Sequence, residues 1–216
     1  MGLGESLKLY FIPDKEIGHG RDLVFQALEA IKGGATAIQL RAKKMKDIDI
    51  YKIGLEMRRV TAENNILFIV NDRVDIALAT EANGVHLGKD DLPITIARKL
   101  TPKNFIIGVS VSNIEEAIKA QSEGADYLAV SSVFPTTSKD DVNAVGIETL
   151  KKIVKSTDLP VIGIGGINLN NLEQVLNAGT CGVAIISAIA AKEDIAIEAL
   201  AFKQSIMKIL KGDELK

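Results

Sequence analysis

Cysteine is nearly absent from this 216-residue chain: the single Cys181 cannot close an internal disulfide, which suits a reducing cytoplasm. Long apolar runs are missing too. No stretch reaches the ~20 residues that span a bilayer. The segment Met1 to Leu9 lacks the basic start, apolar run and cleavage site of a secretory leader. Nor is there an excess of charge of one sign. A formal net charge of −2 and a pI near 5.8 leave no basic field for nucleic acid or an anionic membrane. Composition breaks, low-complexity runs and Pro/Ser-rich linkers are also lacking, so one domain over residues 1–216 is the expectation. These absences point to a cytoplasmic protein whose partners are small molecules, with no nucleic acid and no membrane among them. They leave the oligomeric state open, a homo-oligomer included.

What the chain does have is alternation. Short β-type runs (7–12, 37–41, 67–71, 84–87, 105–111, 127–133, 160–164 and 182–186) are followed by segments of helical period near 21–32, 46–64, 73–81, 93–99, 113–123, 147–156, 170–178 and 194–210. In Asp22 to Ile31, Leu23, Ala27 and Ala30 fall at three- and four-residue spacings on one face. Unbroken apolar runs such as Phe68-Ile-Val70 and Val161-Ile-Gly-Ile164 suit strands covered on both faces. Gly33-Gly34-Ala35, Glu123-Gly124-Ala125 and Asn177-Ala178-Gly179 each stand before a strand, as left-handed helix terminators do. Such alternation demands a parallel sheet with right-handed crossovers. Eight similar units without a first-turn Gly-x-Gly-x-x-Gly signature predict an α/β fold closed into a (β/α)8 TIM barrel, rather than a doubly wound open sheet. The length is slightly below the roughly 250 residues typical of that barrel.

In such a barrel the reacting groups sit where strands end. The second strand carries Gln39, Arg41 and Lys43 at alternate positions, predicted to point one way into the mouth. Two desolvated cations there call for an anion; the plainer reading is that Lys43 lies in the loop and Arg41 pairs with an acidic neighbour. The third strand runs into Asn71-Asp72 and the fourth into His86-Leu-Gly-Lys-Asp-Asp91. Two carboxylates with water and phosphate oxygens suit Mg²⁺; alternatively, Asp72 caps the next helix and Asp90-Asp91 is a solvated loop. His86 is expected to face the barrel interior, either in the site or satisfied by a core hydrogen bond, and His19 to lie at the surface. The hydroxyl-rich loop from Pro135 to Gly146 reads as a lid or as a solvated connection.

The seventh and eighth strands end in Gly163-Ile-Gly-Gly-Ile167 and Ile185-Ile-Ser-Ala-Ile189. Glycines let backbone N–H groups approach a ligand, and loops at these positions commonly hold phosphate in this barrel. The residues therefore describe two anion sites: one cationic and metal-assisted on strands two to four, one rich in backbone on strands seven and eight. Such a pair suits joining a diphosphate to a phosphorylated molecule.

Along nearly its whole length the chain resembles thiamine-phosphate synthases. The matching stretches are Tyr10-Phe-Ile, Gln39-Leu-Arg-Ala-Lys43, Phe68-Ile-Val-Asn-Asp72, Gly84-Val-His-Leu-Gly-Lys-Asp-Asp91, Gly108-Val-Ser110, Pro135-Thr-Thr-Ser-Lys139, Gly163-Ile-Gly-Gly-Ile167 and Gly182-Val-Ala-Ile-Ile-Ser187. The resemblance implies condensation of a hydroxymethylpyrimidine diphosphate with a thiazole phosphate to give thiamine phosphate and pyrophosphate. It implies that Gln39, Leu40, Arg41, Ala42, Lys43 and Asn71 hold the pyrimidine diphosphate, that Ser110 and Lys139 touch the pyrimidine or its diphosphate, and that Asp72 and Asp91 bind Mg²⁺. Thr136, Thr137, Ser138, Gly166, Ile186 and Ser187 then hold the thiazole phosphate, while Arg41, Lys43 and Lys139 carry the catalytic charge. The thiazole nitrogen already has its lone pair, which accounts for the absence of an evident nucleophile–base pair. Three positions depart from the family's habit: Ser131-Ser132 in place of Gly-Pro, Ser138 in place of threonine, and Lys89 in place of glutamine. Two rivals remain on the same barrel. A thiazole tautomerase-like relative needs no metal-bound diphosphate, and a non-catalytic phosphate sensor needs neither the second-strand cations nor the aspartates.

Overall fold

The computed structural model describes residues 2–136 and 144–213. A short helix α1 (Leu3–Ser6) leads into β1 (Leu9–Phe11), α2 (Leu23–Lys32), β2 (Ala37–Leu40), α3 (Asp47–Glu63), β3 (Leu67–Asn71) and α4 (Val74–Ala79). Then come β4 (Gly84–Leu87), α5 (Ile94–Leu100), β5 (Ile106–Val111), α6 (Ile114–Glu123), β6 (Tyr127–Ser131) and α7 (Gly146–Lys155). The chain continues through β7 (Val161–Ile164), α8 (Leu172–Leu176), β8 (Gly182–Ile185), α9 (Ser187–Ala190) and α10 (Ile195–Asp213). Each strand pairs in parallel with the next, and β8 pairs with β1 through Leu9–Val183 and Phe11–Ile185, closing the barrel. The predicted eight-strand barrel is what forms.

Local signals explain the element ends. The Asp22 carboxylate accepts hydrogen bonds from the backbone N–H groups of Val24 and Phe25, starting α2. Asn113 caps α6 in the same way through the N–H of Glu116. Gly34, Gly124 and Gly179 adopt φ of +99°, +97° and +94°, the left-handed conformation expected of the repeated punctuation. Six of the strands are shorter than predicted, β1 for example beginning at Leu9 rather than at Leu7, whereas β3 and β4 keep the predicted bounds. Hydrophobicity continues past the last ladder bond because Leu7 and Ile12 remain buried in the barrel. Helices α1 and α9 lack a signal of periodicity, since four residues are barely one turn.

Two apolar layers follow from strand alternation. Leu9, Phe11, Ile38, Leu40, Phe68 and Val70 point outward into the layer between sheet and helices. Tyr10, Ala37, Ile69, Tyr127, Ile162 and Ala184 point inward and fill the barrel floor. Gly108 shows how tightly that floor is filled, because a Cβ there would overlap the Tyr127 ring. The floor supports everything above it. Among the described residues no helix is long and apolar enough to cross a membrane.

Candidate active site

The C-terminal ends of the strands open on a cavity of about 690 Å³. Gln39, Arg41, Lys43, Asn71, Asp72, His86, Asp91 and Ser110 all line it, so the cationic and acidic positions picked from the sequence converge. The route differs from the expectation in one respect. Since β2 stops at Leu40, Arg41 and Lys43 reach the cavity from the loop rather than by strand alternation. Leu40 is buried toward the helices, and Ala42 packs against the same outer layer, so neither side chain faces the cavity. The plainer readings of the two cations hold in part. Arg41 Nη1 stands 4.0 Å from Asp14 Oδ2, at the outer limit of an ion pair, and Lys43 Nζ lies 3.4 Å from Asp72 Oδ2.

Asp72 does not cap α4: the cap position belongs to Arg73, and no side chain caps it. Instead Asp72 takes φ +62°, a left-handed conformation that aspartate tolerates better than most residues. Its N–H donates to the His86 carbonyl at 2.8 Å, tying the end of β3 to β4. Asp91 is anchored as well, its Oδ2 accepting from the Gly88 N–H at 2.7 Å. Burial and the adjoining Asp91 carboxylate push Asp72 up to about 6, against the opposing pull of Lys43. Two acids in contact, one of them holding its proton unusually well, fit a divalent cation, since the cation would take the proton's place between them. No group of three or more His, Cys, Asp or Glu side chains with metal-binding placement occurs among the described residues. The pair therefore suits an ion that draws its remaining oxygens from water and phosphate, as Mg²⁺ does.

Beneath these charges runs a line of polar side chains. Gln39 Nε2 donates to the Tyr10 hydroxyl at 2.9 Å, and the Tyr10 and Tyr127 hydroxyls are 3.2 Å apart. Tyr127 lies 3.0 Å from His86 Nδ1, whose Nε2 is 2.9 Å from Ser110 Oγ. His86 is thus both inward-facing and hydrogen-bonded, joining the two readings held open for it. His19 is exposed as expected.

A second, smaller hollow lies beside the first, lined by Thr136, Gly165, Gly166, Ile167, Ile186 and Ser187. Ile164 and Ala184 border both, so the two sites share a wall. Gly165 and Gly166 have φ of +98° and +64°, and a Cβ on Gly165 would overlap Ser132, so this turn requires glycine. The Ser131-Ser132 peptide is cis, and the Ser132 hydroxyl donates to the Phe134 carbonyl at 2.9 Å. Thr137, Ser138 and Lys139 lie outside the described residues, and so does most of the expected lid. The flanks of that loop are pinned by the Phe134 N–H to Gly165 O and the Val145 N–H to Ser132 O.

Several residues escaped sequence reasoning. Tyr10, Glu116 and Ser131 line the larger cavity, and Tyr127 supports it from below. Alternation along β1 and β6 could have placed the two tyrosines inward. Arg21 had no such signal. It leaves the β1–α2 loop and donates to the carbonyls of Gly18 (2.8 Å), Glu193 (3.1 Å) and Ala190 (2.5 Å), clasping the C-terminal end of α9.

Residues 9–189 match the family model described as thiamine monophosphate synthase. The thiamine-phosphate synthase of Coprothermobacter proteolyticus is 53% identical over 204 residues, covering 94% of this chain and 97% of its own. That of Pyrococcus abyssi is 49% identical over 195 residues, covering 90% and 92%. Among solved structures, thiamine phosphate pyrophosphorylase from Pyrococcus furiosus superposes with a TM-score of 0.90 at 44% identity, covering 97% of this chain and all of that one. Identity at this level along the whole barrel, with cations, carboxylates and glycine turn gathered at one mouth, makes the chain an enzyme of the thiamine monophosphate synthase family.

Proposed function

We propose that the larger cavity takes 4-amino-2-methyl-5-hydroxymethylpyrimidine diphosphate, that the smaller hollow takes the phosphate of 4-methyl-5-(2-phosphoethyl)thiazole, and that the two are joined as thiamine phosphate with release of pyrophosphate. The observation that carries this reading is the shared wall. Ile164 and Ala184 border both sites, so two ligands bound there meet edge to edge. The bond between the pyrimidinylmethyl carbon and the diphosphate oxygen breaks, and its electron pair leaves with pyrophosphate. The ring amino group stabilises the resulting cation. The thiazole nitrogen lone pair then forms the new carbon–nitrogen bond, and no proton has to be removed.

The chain's own part is electrostatic and positional. Arg41 and Lys43 face the departing charge, Asn71 stands beside them, and the packed floor sets the depth of the ring. Asp72 and Asp91 would hold Mg²⁺, which when bound supplies positive charge against the leaving pyrophosphate. Thr136, Gly166, Ile186 and Ser187 line the hollow assigned to the thiazole phosphate. Holding both substrates in one orientation converts an encounter into a neighbouring-group reaction.

The test is direct. Purified protein mixed with both substrates and Mg²⁺ is expected to produce thiamine phosphate and pyrophosphate in equal amounts, and excess chelator is expected to stop it. Turnover unchanged in chelator removes the metal from the proposal; no product under any condition removes the synthase reading.

Arg21 supplies a finer check. By holding the carbonyls of Ala190 and Glu193 it fixes the turn that carries Ser187. Arg21→Ala is expected to raise KM for the thiazole phosphate about fivefold to tenfold, the net worth of about one ordinary hydrogen bond transmitted through the turn, with KM for the pyrimidine diphosphate unchanged. Equal changes in both constants mean that Arg21 only holds the fold together.

A further inference from the structure

The polar line under the cavity has a property that its separate hydrogen bonds do not reveal. Gln39, Tyr10, Tyr127, His86 and Ser110 come from five strands and form one continuous chain across the barrel floor. Only its ends and some of its middle face the cavity: Gln39, Tyr10, His86 and Ser110 line it, whereas Tyr127 lies underneath, fully buried. Burial holds both phenols well above the usual tyrosine range, so each keeps its single proton. A neutral imidazole has one donor and one acceptor nitrogen. With His86 neutral, every interior member therefore gives one proton and receives one.

Protons in such a chain must all run the same way. With Gln39 Nε2 donating to Tyr10, as observed, Tyr10 donates to Tyr127, Tyr127 to His86 Nδ1, and His86 Nε2–H to Ser110 Oγ. The Gln39 carbonyl oxygen is then left as an acceptor for the ligand and the Ser110 hydroxyl as a donor. Reversing the chain turns both ends over together: Gln39 offers its amide N–H and Ser110 its oxygen. A chain with the same character at both ends needs a break inside, with a buried polar group left unpaired.

We infer that this relay is a specificity-determining device, in which Tyr127 and Tyr10 act as positioning residues that force Gln39 and Ser110 to present opposite hydrogen-bonding characters. The inference rests on the reading of the cavity as a pyrimidine site. A ring edge with one donor and one acceptor, such as an amino group beside a ring nitrogen, satisfies both ends in the observed sense. An edge with two acceptors, such as a methoxy group beside the same ring nitrogen, satisfies only one. Selection against the second ring comes from the floor, though Tyr127 is buried beneath the cavity.

Tyr127→Phe makes the test specific. Without that hydroxyl, Tyr10 regains a partner for its proton by donating to the Gln39 carbonyl, so Gln39 turns its amide N–H to the cavity. His86 keeps its proton on Nε2, toward Ser110, and Ser110 still donates. Both ends become donors, which suits the two-acceptor ring. The probes are the monophosphates of the 4-amino and the 4-methoxy 2-methyl-5-hydroxymethylpyrimidines, which carry no pyrophosphate leaving group. Their dissociation constants are measured by calorimetry with the intact parent and variant.

The parent is expected to favour the amino ring, and Tyr127→Phe to lower that preference at least about tenfold by weakening the amino ring while strengthening the methoxy ring. Tyr10→Phe opens the chain one link earlier and is expected to lower the preference in the same direction, so a folding failure of either variant leaves the other decisive. An unchanged ratio in a folded variant, with both rings weakened alike, overturns the relay while leaving the pyrimidine site standing. A parent that binds neither ring overturns the pyrimidine reading and the relay with it.

Discussion

Asp72→Asn is expected to make the metal-free protein more heat-stable near pH 7 while removing most of its activity. The folded protein holds the Asp72 proton up to about pH 6 because of burial and the neighbouring Asp91, whereas an unfolded chain releases it near 4. A carboxyl raised on folding contributes stability that is fully present below the unfolded value and is lost as pH rises through the folded one. The metal-free parent should therefore lose stability between about pH 4 and pH 6, as the Asp72 carboxyl ionises beside Asp91. One pKa unit corresponds to about 1.4 kcal/mol, so the rise of the Asp72 carboxyl to about 6 costs on the order of 2 kcal/mol once its partial exposure is discounted. For a chain of this size that is about 4–8 °C of melting temperature.

Asparagine keeps the shape and removes the charge, so its melting temperature should be flatter across that window and higher than the parent's at pH 7. Added Mg²⁺ should raise the parent and leave the variant nearly unmoved. Turnover should fall on the order of a hundredfold or more, because a charge that holds the metal is gone. Calorimetric melts from pH 4 to 7, with and without Mg²⁺, check all of this. A variant less stable than the parent at pH 7 would show that Asp72 serves the fold.

Arg41→Ala is expected to behave differently, losing activity at little cost to stability. Its acidic neighbour Asp14 stands 4.0 Å away, and such partly exposed pairs contribute about 1 kcal/mol or less. Facing a leaving pyrophosphate, the same guanidinium gives a charge-assisted contact that strengthens as the bond breaks. Removing it should cost about 3 kcal/mol of the barrel's hold on the transition state, on the order of a hundredfold in rate. The melting temperature should stay within a few degrees of the parent's. Steady-state rates beside thermal melts separate the two roles: a large fall in melting temperature with a nearly parental rate makes Arg41–Asp14 a structural ion pair.

The period of the hydrophobic residues was enough to place all eight strands and eight of the helices in order. Runs such as Phe68-Ile-Val70 can be satisfied only by cover on both faces, and repeated strand–helix units leave few ways to arrange a parallel sheet. Polar residues that interrupt apolar runs, at Gln39, Asn71-Asp72 and His86, marked the mouth for the same reason: buried polarity is costly unless it has a use or a partner. Backbone demand made the glycine turn after β7 legible as well.

Other features depend on distance through space, which spacing along the chain does not encode. Arg41 reaches the cavity from a loop and meets Asp14, 27 positions earlier in the chain, because β1 and β2 are neighbours in the barrel. Asp91 raises the Asp72 carboxyl only because β3 and β4 end side by side. The line from Gln39 to Ser110 needs five strands closed into a ring before Tyr10 and Tyr127 can touch. Periodicity is a local property and survives in the sequence. Closure of the barrel alone brings into contact groups whose chemistry depends on a few ångströms, since electrostatic and hydrogen-bond energies fall off steeply with separation.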